Sequence, residues 1–180
     1  MGDRIANPKA LGFGAAAISL WMYGLLYAGW STPATGDPTM IQFNMLVLVA
    51  LFIVALASFL RNETWYAVFF LFWAAFIWGL HASMGMASGQ LSAFNGWYAI
   101  AVAIISLFLL LAAVRIAAGP AVTLLNLGLT LMMIAFALGG WFGGQFWLVI
   151  GGYLGLISGL AALWAAWNEF AAMGGEAGAA

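Results

Sequence analysis

Neutral polar side chains interrupt the apolar stretches of this 180-residue chain at Ser19, Asn44, Ser58, Ser106, Thr123, Asn126, Thr130 and Ser158. Hydroxyls and carboxamides of this kind line pores for small polar solutes. They also tie neighbouring helices together by hydrogen bonding, and the sequence leaves both uses open. His81 is the one histidine. An unperturbed imidazole titrates near pH ~6.5, which makes His81 a candidate sensor of external acidity, although a structural role is the commoner use. At the mouth of the first apolar run stands Asn7-Pro8-Lys9-Ala10-Leu11-Gly12, which reads as a helix entrance. Asn7 can cap the first N–H groups, and Pro8 fits where an N–H would find no partner. A helix N-terminus carries about half a positive charge, so near a pore this cap could draw small anions.

The missing residues exclude several kinds of chemistry. Asp, Glu, Lys and Arg occur only at the ends of the apolar segments. A proton relay or a carboxylate-coupled cation transporter places such groups at mid-depth. A lone histidine supplies neither paired haem ligands nor, with no buried Asp beside it, a hydrolytic triad. The absence of cysteine removes disulfides, thiolate nucleophiles and cysteine metal sites. The expectation is a protein that is not an enzyme, with no catalytic residue, metal or cofactor.

The elements that must hold these residues follow from composition. The chain is 67% hydrophobic and 5% charged, with a mean hydropathy of +1.10, whereas soluble domains are roughly a quarter charged. This is an all-α integral membrane composition. Six segments reach the ~20 apolar residues a bilayer requires: Leu11–Gly29, Met40–Leu60, Thr64–Met84, Phe94–Ala117, Ala121–Phe142 and Gln145–Phe170. Gly119-Pro120 and Gly143-Gly144 separate the last three. One six-helix domain over 1–172 and a disordered tail over 173–180 are expected, with no cleavable leader because the first run is too long. Arg4, Lys9, Arg61 and Arg115 fall on one face of a six-span chain, so the positive-inside rule makes that face and both termini cytoplasmic. A net charge of −1 offers no basic surface for nucleic acid.

Aromatic residues fit the same frame. Tyr27, Trp30, Trp97 and Tyr98 fall near the outer interface, and Trp65, Tyr66 and Trp167 near the inner one. Trp73, Trp78 and Trp164 lie deeper, where helix packing or lipid contact is the ordinary use. Gly151, Gly155 and Gly159 repeat every four residues and cut a groove into the last span for a neighbouring backbone. Glu169, at the end of that span, is expected to reach water or to pair with Arg61 or Arg115.

The motif NPKALG, followed by a Gly- and Ala-rich span, resembles the NPAPLG signature of the acetate uptake transporters. RNETWYAVFFLFWAAF resembles that family's entry to its third span, and GGYLGLISGLAALWAAWNE its glycine-rich last helix. The resemblance covers essentially the whole chain. It implies six-helix protomers assembled as a ring-shaped homo-hexamer in the plasma membrane lipid. It also implies passage of acetate and related short carboxylates, succinate in some members, through an apolar gate within each protomer. The gate positions correspond to Ala16, Trp73 and Leu129, where Phe, Tyr and Leu are usual. Thr130 and Ala162 match positions beside the pathway, Ser19 matches one of two adjacent threonines, and Leu20 replaces the other. Leu51 and Ser58 stand where a Gln and a Glu are common.

A bare carboxylate in an apolar gate pays several kcal/mol or more. Passage as the neutral acid, or together with a proton, removes most of that cost. The resemblance, with the helix cap and the polar inventory, makes Asn7, Ser19, Asn126, Thr130 and Ala162 the pathway candidates, flanking a gate that the resemblance puts at Ala16, Trp73 and Leu129. The expected function is a membrane channel or proton-coupled transporter for acetate and related short-chain carboxylates. A neutral-solute channel of the urea or amide type, and a non-transporting structural membrane protein, stand as alternatives that solute flux distinguishes.

Overall fold

A computed structural model describes residues 7–30, 38–83 and 91–177, with side chains described over 7–30, 42–79 and 95–173. Six α-helices occupy the six apolar segments: α1 Lys9–Tyr27, α2 Pro38–Leu60, α3 Thr64–Ser83, α4 Leu91–Arg115, α5 Pro120–Phe142 and α6 Gln145–Ala177. Five of them are long and apolar enough to cross a membrane. The described side chains of the remaining helix, Thr64–Gly79 in α3, form a shorter apolar stretch. Asp37 and most of the first connector lie outside the described residues. α6 runs on to Ala177, past Met173, where a loose tail was expected. The extension runs through Gly174 and Gly175, each about 1 kcal/mol less favourable than Ala in a helix, and contains no proline to break it.

Three helix ends close by the same pair of backbone bonds. After α2, the Asn62 N–H reaches Phe59 O at 3.0 Å and the Glu63 N–H reaches Ser58 O at 3.0 Å, with Asn62 left-handed at φ 60°. After α1, Gly29 takes the left-handed place, and after α4 Ala117 takes it at φ 52°. This is the Schellman closure, which favours Gly or Asn at that position. It fits Gly29 and Asn62, and it strains Ala117. Pro120 then opens α5 at a position needing no N–H.

Neighbouring helices follow the order α4–α5–α6–α1–α2–α3, and a lighter contact between α3 and α4 completes the circuit. Small residues let α6 lie close to α1. The α-carbon of Gly24 and the Ala17 carbonyl are each 3.4 Å from where a Cβ on Gly155 and Gly159 would sit. A Cβ on Gly152 would strike the backbone of Tyr27 and Ala28. Gly151 instead faces the Phe136 ring of α5. The glycine groove thus serves packing inside the bundle, where close approach rather than a hydrophobic drive holds membrane helices together. Large apolar side chains such as Leu46, Trp78, Phe108 and Trp164 point outward, as a lipid-facing surface requires.

The polar inventory has a third use that the sequence reading did not separate. Thr123, Asn126, Thr130 and Ser158 each donate to the carbonyl four residues back in their own helix, at 2.7–2.9 Å. Ser19, by contrast, donates to Asn44 Oδ1 at 3.0 Å and so joins α1 to α2. Ser58 and Ser106 are fully buried, with hydroxyls that find no partner among the described residues.

Candidate functional site: an uncharged internal cavity

At one end of the bundle the few charges gather. Pro8, not Asn7, takes the cap position of α1, but Asn7 Oδ1 still accepts the Lys9 N–H at 3.1 Å, and Asn7 Nδ2 donates to Glu169 Oε2 at 2.8 Å. The Lys9 ammonium lies 3.4 Å from Glu63, 3.8 Å from Glu169, and 4.5 Å from the centre of the Tyr66 ring. Arg61 pairs with Glu63 at 3.3 Å. Glu169 is therefore held by Lys9 and Asn7, not by Arg61 or Arg115 as expected. The first turn of α1 reaches it before the inter-helix turns do, and Arg115 is exposed.

Next to this cluster the bundle is sealed by aromatic rings. Phe13 meets Phe70 at 5.2 Å, Phe69 at 6.0 Å and Tyr66 at 6.1 Å between ring centres. Trp65 stacks on Phe69 at 5.2 Å. Beyond the seal lies a cavity of about 60 Å³. α1 contributes Ala16, Ser19, Leu20, Tyr23 and Tyr27; α3 contributes Phe69, Trp73, Phe76 and Ile77; α5 contributes Leu129, Met132, Met133 and Phe136; and α2 contributes Leu51. Each helix repeats at three or four residues, so one face of each looks inward. From Ala16 to Tyr27 the lining extends about 16 Å along α1, at roughly 1.5 Å per residue. At the far end Tyr27 and Phe136 touch, 4.7 Å between centres.

No lining residue is charged. Ser19 is engaged with Asn44. The Tyr23 hydroxyl and Trp73 Nε1 are buried and have no hydrogen-bond partner among the described residues. Among those residues, no group of three His, Cys, Asp or Glu side chains could hold a metal. Such a chamber offers hydrogen-bond donors and apolar walls, without a fixed countercharge.

The structure brings Ala16, Trp73, Leu129 and Ser19 onto this one cavity. Asn126, Thr130 and Ala162 are buried in the bundle without lining it, and Asn7 stands in the charged cluster beyond the aromatic seal. The His81 side chain lies outside the described residues. Trp73 faces the cavity, unlike Trp78 and Trp164 with which it was grouped. Tyr23 was not singled out from the sequence. Its signal was spacing: seven residues after Ala16 and four before Tyr27, it shares their helix face.

Fold and cavity together define a class: a bundle of six helices, five of them long and apolar enough to cross a membrane, around an uncharged internal chamber. The chain is similar in fold to a solved structure described as that of the bacterial acetate channel SatP. The two superpose with a TM-score of 0.84 over 93% of each chain, at 20% sequence identity. No family model matches the chain, and no curated protein matches it by sequence.

Proposed function

We propose that this protein is a membrane channel or proton-coupled transporter for acetate and related short-chain carboxylates, working as six spans with both termini cytoplasmic. The observation that carries the reading is the uncharged cavity at Ala16, Trp73 and Leu129, inside a bundle that shares its fold with an acetate channel. In this reading the three residues form the gate. Asn126 and Thr130 shape α5, while Asn7 anchors the cytoplasmic end. The cavity lining supplies no cation, so the neutral acid crosses at far lower cost than the anion. Acid outside then drives uptake, whether the proton arrives on the solute or beside it. Assembly as a plasma-membrane homo-hexamer, and succinate among the solutes, belong to the same reading.

The test is uptake of labelled acetate into proteoliposomes, with and without an imposed pH gradient, against protein-free vesicles because acetic acid crosses lipid unaided. Protein-dependent uptake that rises with external acid and is competed by other short carboxylates is the expected result. Urea flux without acetate flux would turn the reading to a neutral-solute channel. No flux of either would leave a structural membrane protein.

A further inference from the structure

The cavity holds two buried hydrogen-bond donors with nothing to donate to. Tyr23 is 7% exposed and Trp73 6%, and neither the hydroxyl of the one nor Nε1 of the other has a partner among the described residues. Buried polar groups are overwhelmingly satisfied in folded proteins, so an orphan on a cavity wall points to something that enters the cavity. Both residues line the same chamber, from α1 and from α3. An indole N–H can only donate, and a phenol donates readily, so the complement is a group rich in acceptors. The lining from α5, with Leu129, Met132, Met133 and Phe136, offers only apolar surface.

We infer that Tyr23 and Trp73 form a donor pair that holds the single carboxyl group of a short monocarboxylic acid, its alkyl end lying on the Leu129–Met132 wall. The inference deepens the transport reading and rests on it. The volume agrees: about 60 Å³ is room for roughly four to six water-sized positions, close to the four heavy atoms of acetate.

The experiment pairs wild type with Tyr23→Phe, which removes one oxygen and keeps the ring. Two quantities are read: half-saturation for labelled acetate in proteoliposomes, and the thermal midpoint of the purified protein with and without acetate at mildly acidic pH. Tyr23→Phe is expected to raise half-saturation about threefold to tenfold, the worth of one hydrogen bond. The same variant should melt about 2 °C higher when empty, because a buried orphan hydroxyl has gone, and should lose most of the acetate-induced rise. A merely structural hydroxyl would instead lower the empty midpoint. Trp73→Phe supplies the second arm: its effect on acetate should combine less than additively with that of Tyr23→Phe if both hold one carboxyl group.

An unchanged half-saturation and acetate-induced rise in Tyr23→Phe, with wild-type transport intact, overturns the donor pair and leaves the transport reading standing. Absence of both flux and thermal shift in wild type removes the transport reading and the donor pair with it.

Discussion

The two polar regions of this bundle handle their hydrogen bonds in opposite ways. At the charged end, Lys9 serves two glutamates and a tyrosine ring, Asn7 accepts the Lys9 N–H while holding Glu169, and Arg61 supports Glu63. Glu63 Oε1 and Glu169 Oε2 are each held by more than one partner, while Glu63 Oε2 has none among the described residues. In the cavity, one turn beyond Phe13, two donors have none. A satisfied network fixes geometry, here tying the start of α1 to the α2–α3 turn and the end of α6. An unsatisfied pair leaves room for a visitor. The position of the charges therefore says how the helices are bound together, and the uncharged chamber says where a solute would go.

The largest expected effect breaks the cavity side of this contrast. Leu129 is fully buried and lines the chamber. Leu129→Ala enlarges it and should raise flux of four- and five-carbon acids relative to acetate by about tenfold, as one or two methylenes' room in an apolar pocket allows. The stability cost should be about 2 kcal/mol, at the low end for leucine truncation because the site already borders space. Unchanged size selectivity in proteoliposome competition would count against a gate at this position.

Next comes the charged end. Lys9→Met keeps the side-chain stem and removes the ammonium from between Glu63 and Glu169, whose side chains are about 20% exposed. Leaving two carboxylates without that cation should cost about 2 kcal/mol, less than for a fully buried pair because solvent reaches both. The thermal midpoint should fall while the acetate-to-propionate flux ratio stays as in wild type. A changed ratio would mean that the two regions are coupled across the Phe13–Phe69–Tyr66 seal.

The sequence was informative for the parts set by local rules and silent on those set by meeting at a distance. Hydropathy located all six helices, because apolar length is a property of contiguous residues. Asn7-Pro8 announced the start of α1, and the four-residue glycine spacing announced the groove that α1 fills. The partner of Glu169 was misassigned because Lys9 lies 160 positions away (169 − 9) and only the bundle's circuit brings it near. The i, i−4 bonds of Asn126, Thr130 and Ser158 were legible in principle, but hydroxyls in apolar spans look alike whether they bond their own helix or the next. Tyr23 escaped notice because an aromatic in a membrane span counts first as apolar. Its unpartnered oxygen is a property of the cavity.

A smaller effect sharpens the contrast from the side of the backbone. Ala117 sits at φ 52° in the closure of α4, where Gly29 and Asn62 do the same duty after α1 and α2. Ala117→Gly should raise stability by about 1 kcal/mol, the cost of holding an L side chain left-handed, offset in part by glycine's greater freedom when unfolded. Acetate flux should not change. A lower midpoint would show that the methyl group packs usefully enough to outweigh the strain.

The smallest effect separates a cavity hydroxyl with a partner from one without. Ser19 lines the same chamber as Tyr23, but it already donates to Asn44 across the α1–α2 interface. Ser19→Ala should lower the thermal midpoint by the equivalent of about 0.6 kcal/mol, the average for an interhelical hydrogen bond in a membrane bundle. Tyr23→Phe is expected to move the midpoint the other way. For acetate half-saturation the order reverses, with Ser19→Ala shifting it less than Tyr23→Phe, because the serine hydroxyl is committed to the protein. If both variants lower stability and weaken acetate equally, the unpartnered state of Tyr23 has no functional meaning. In that case the two hydroxyls are interchangeable pieces of wall.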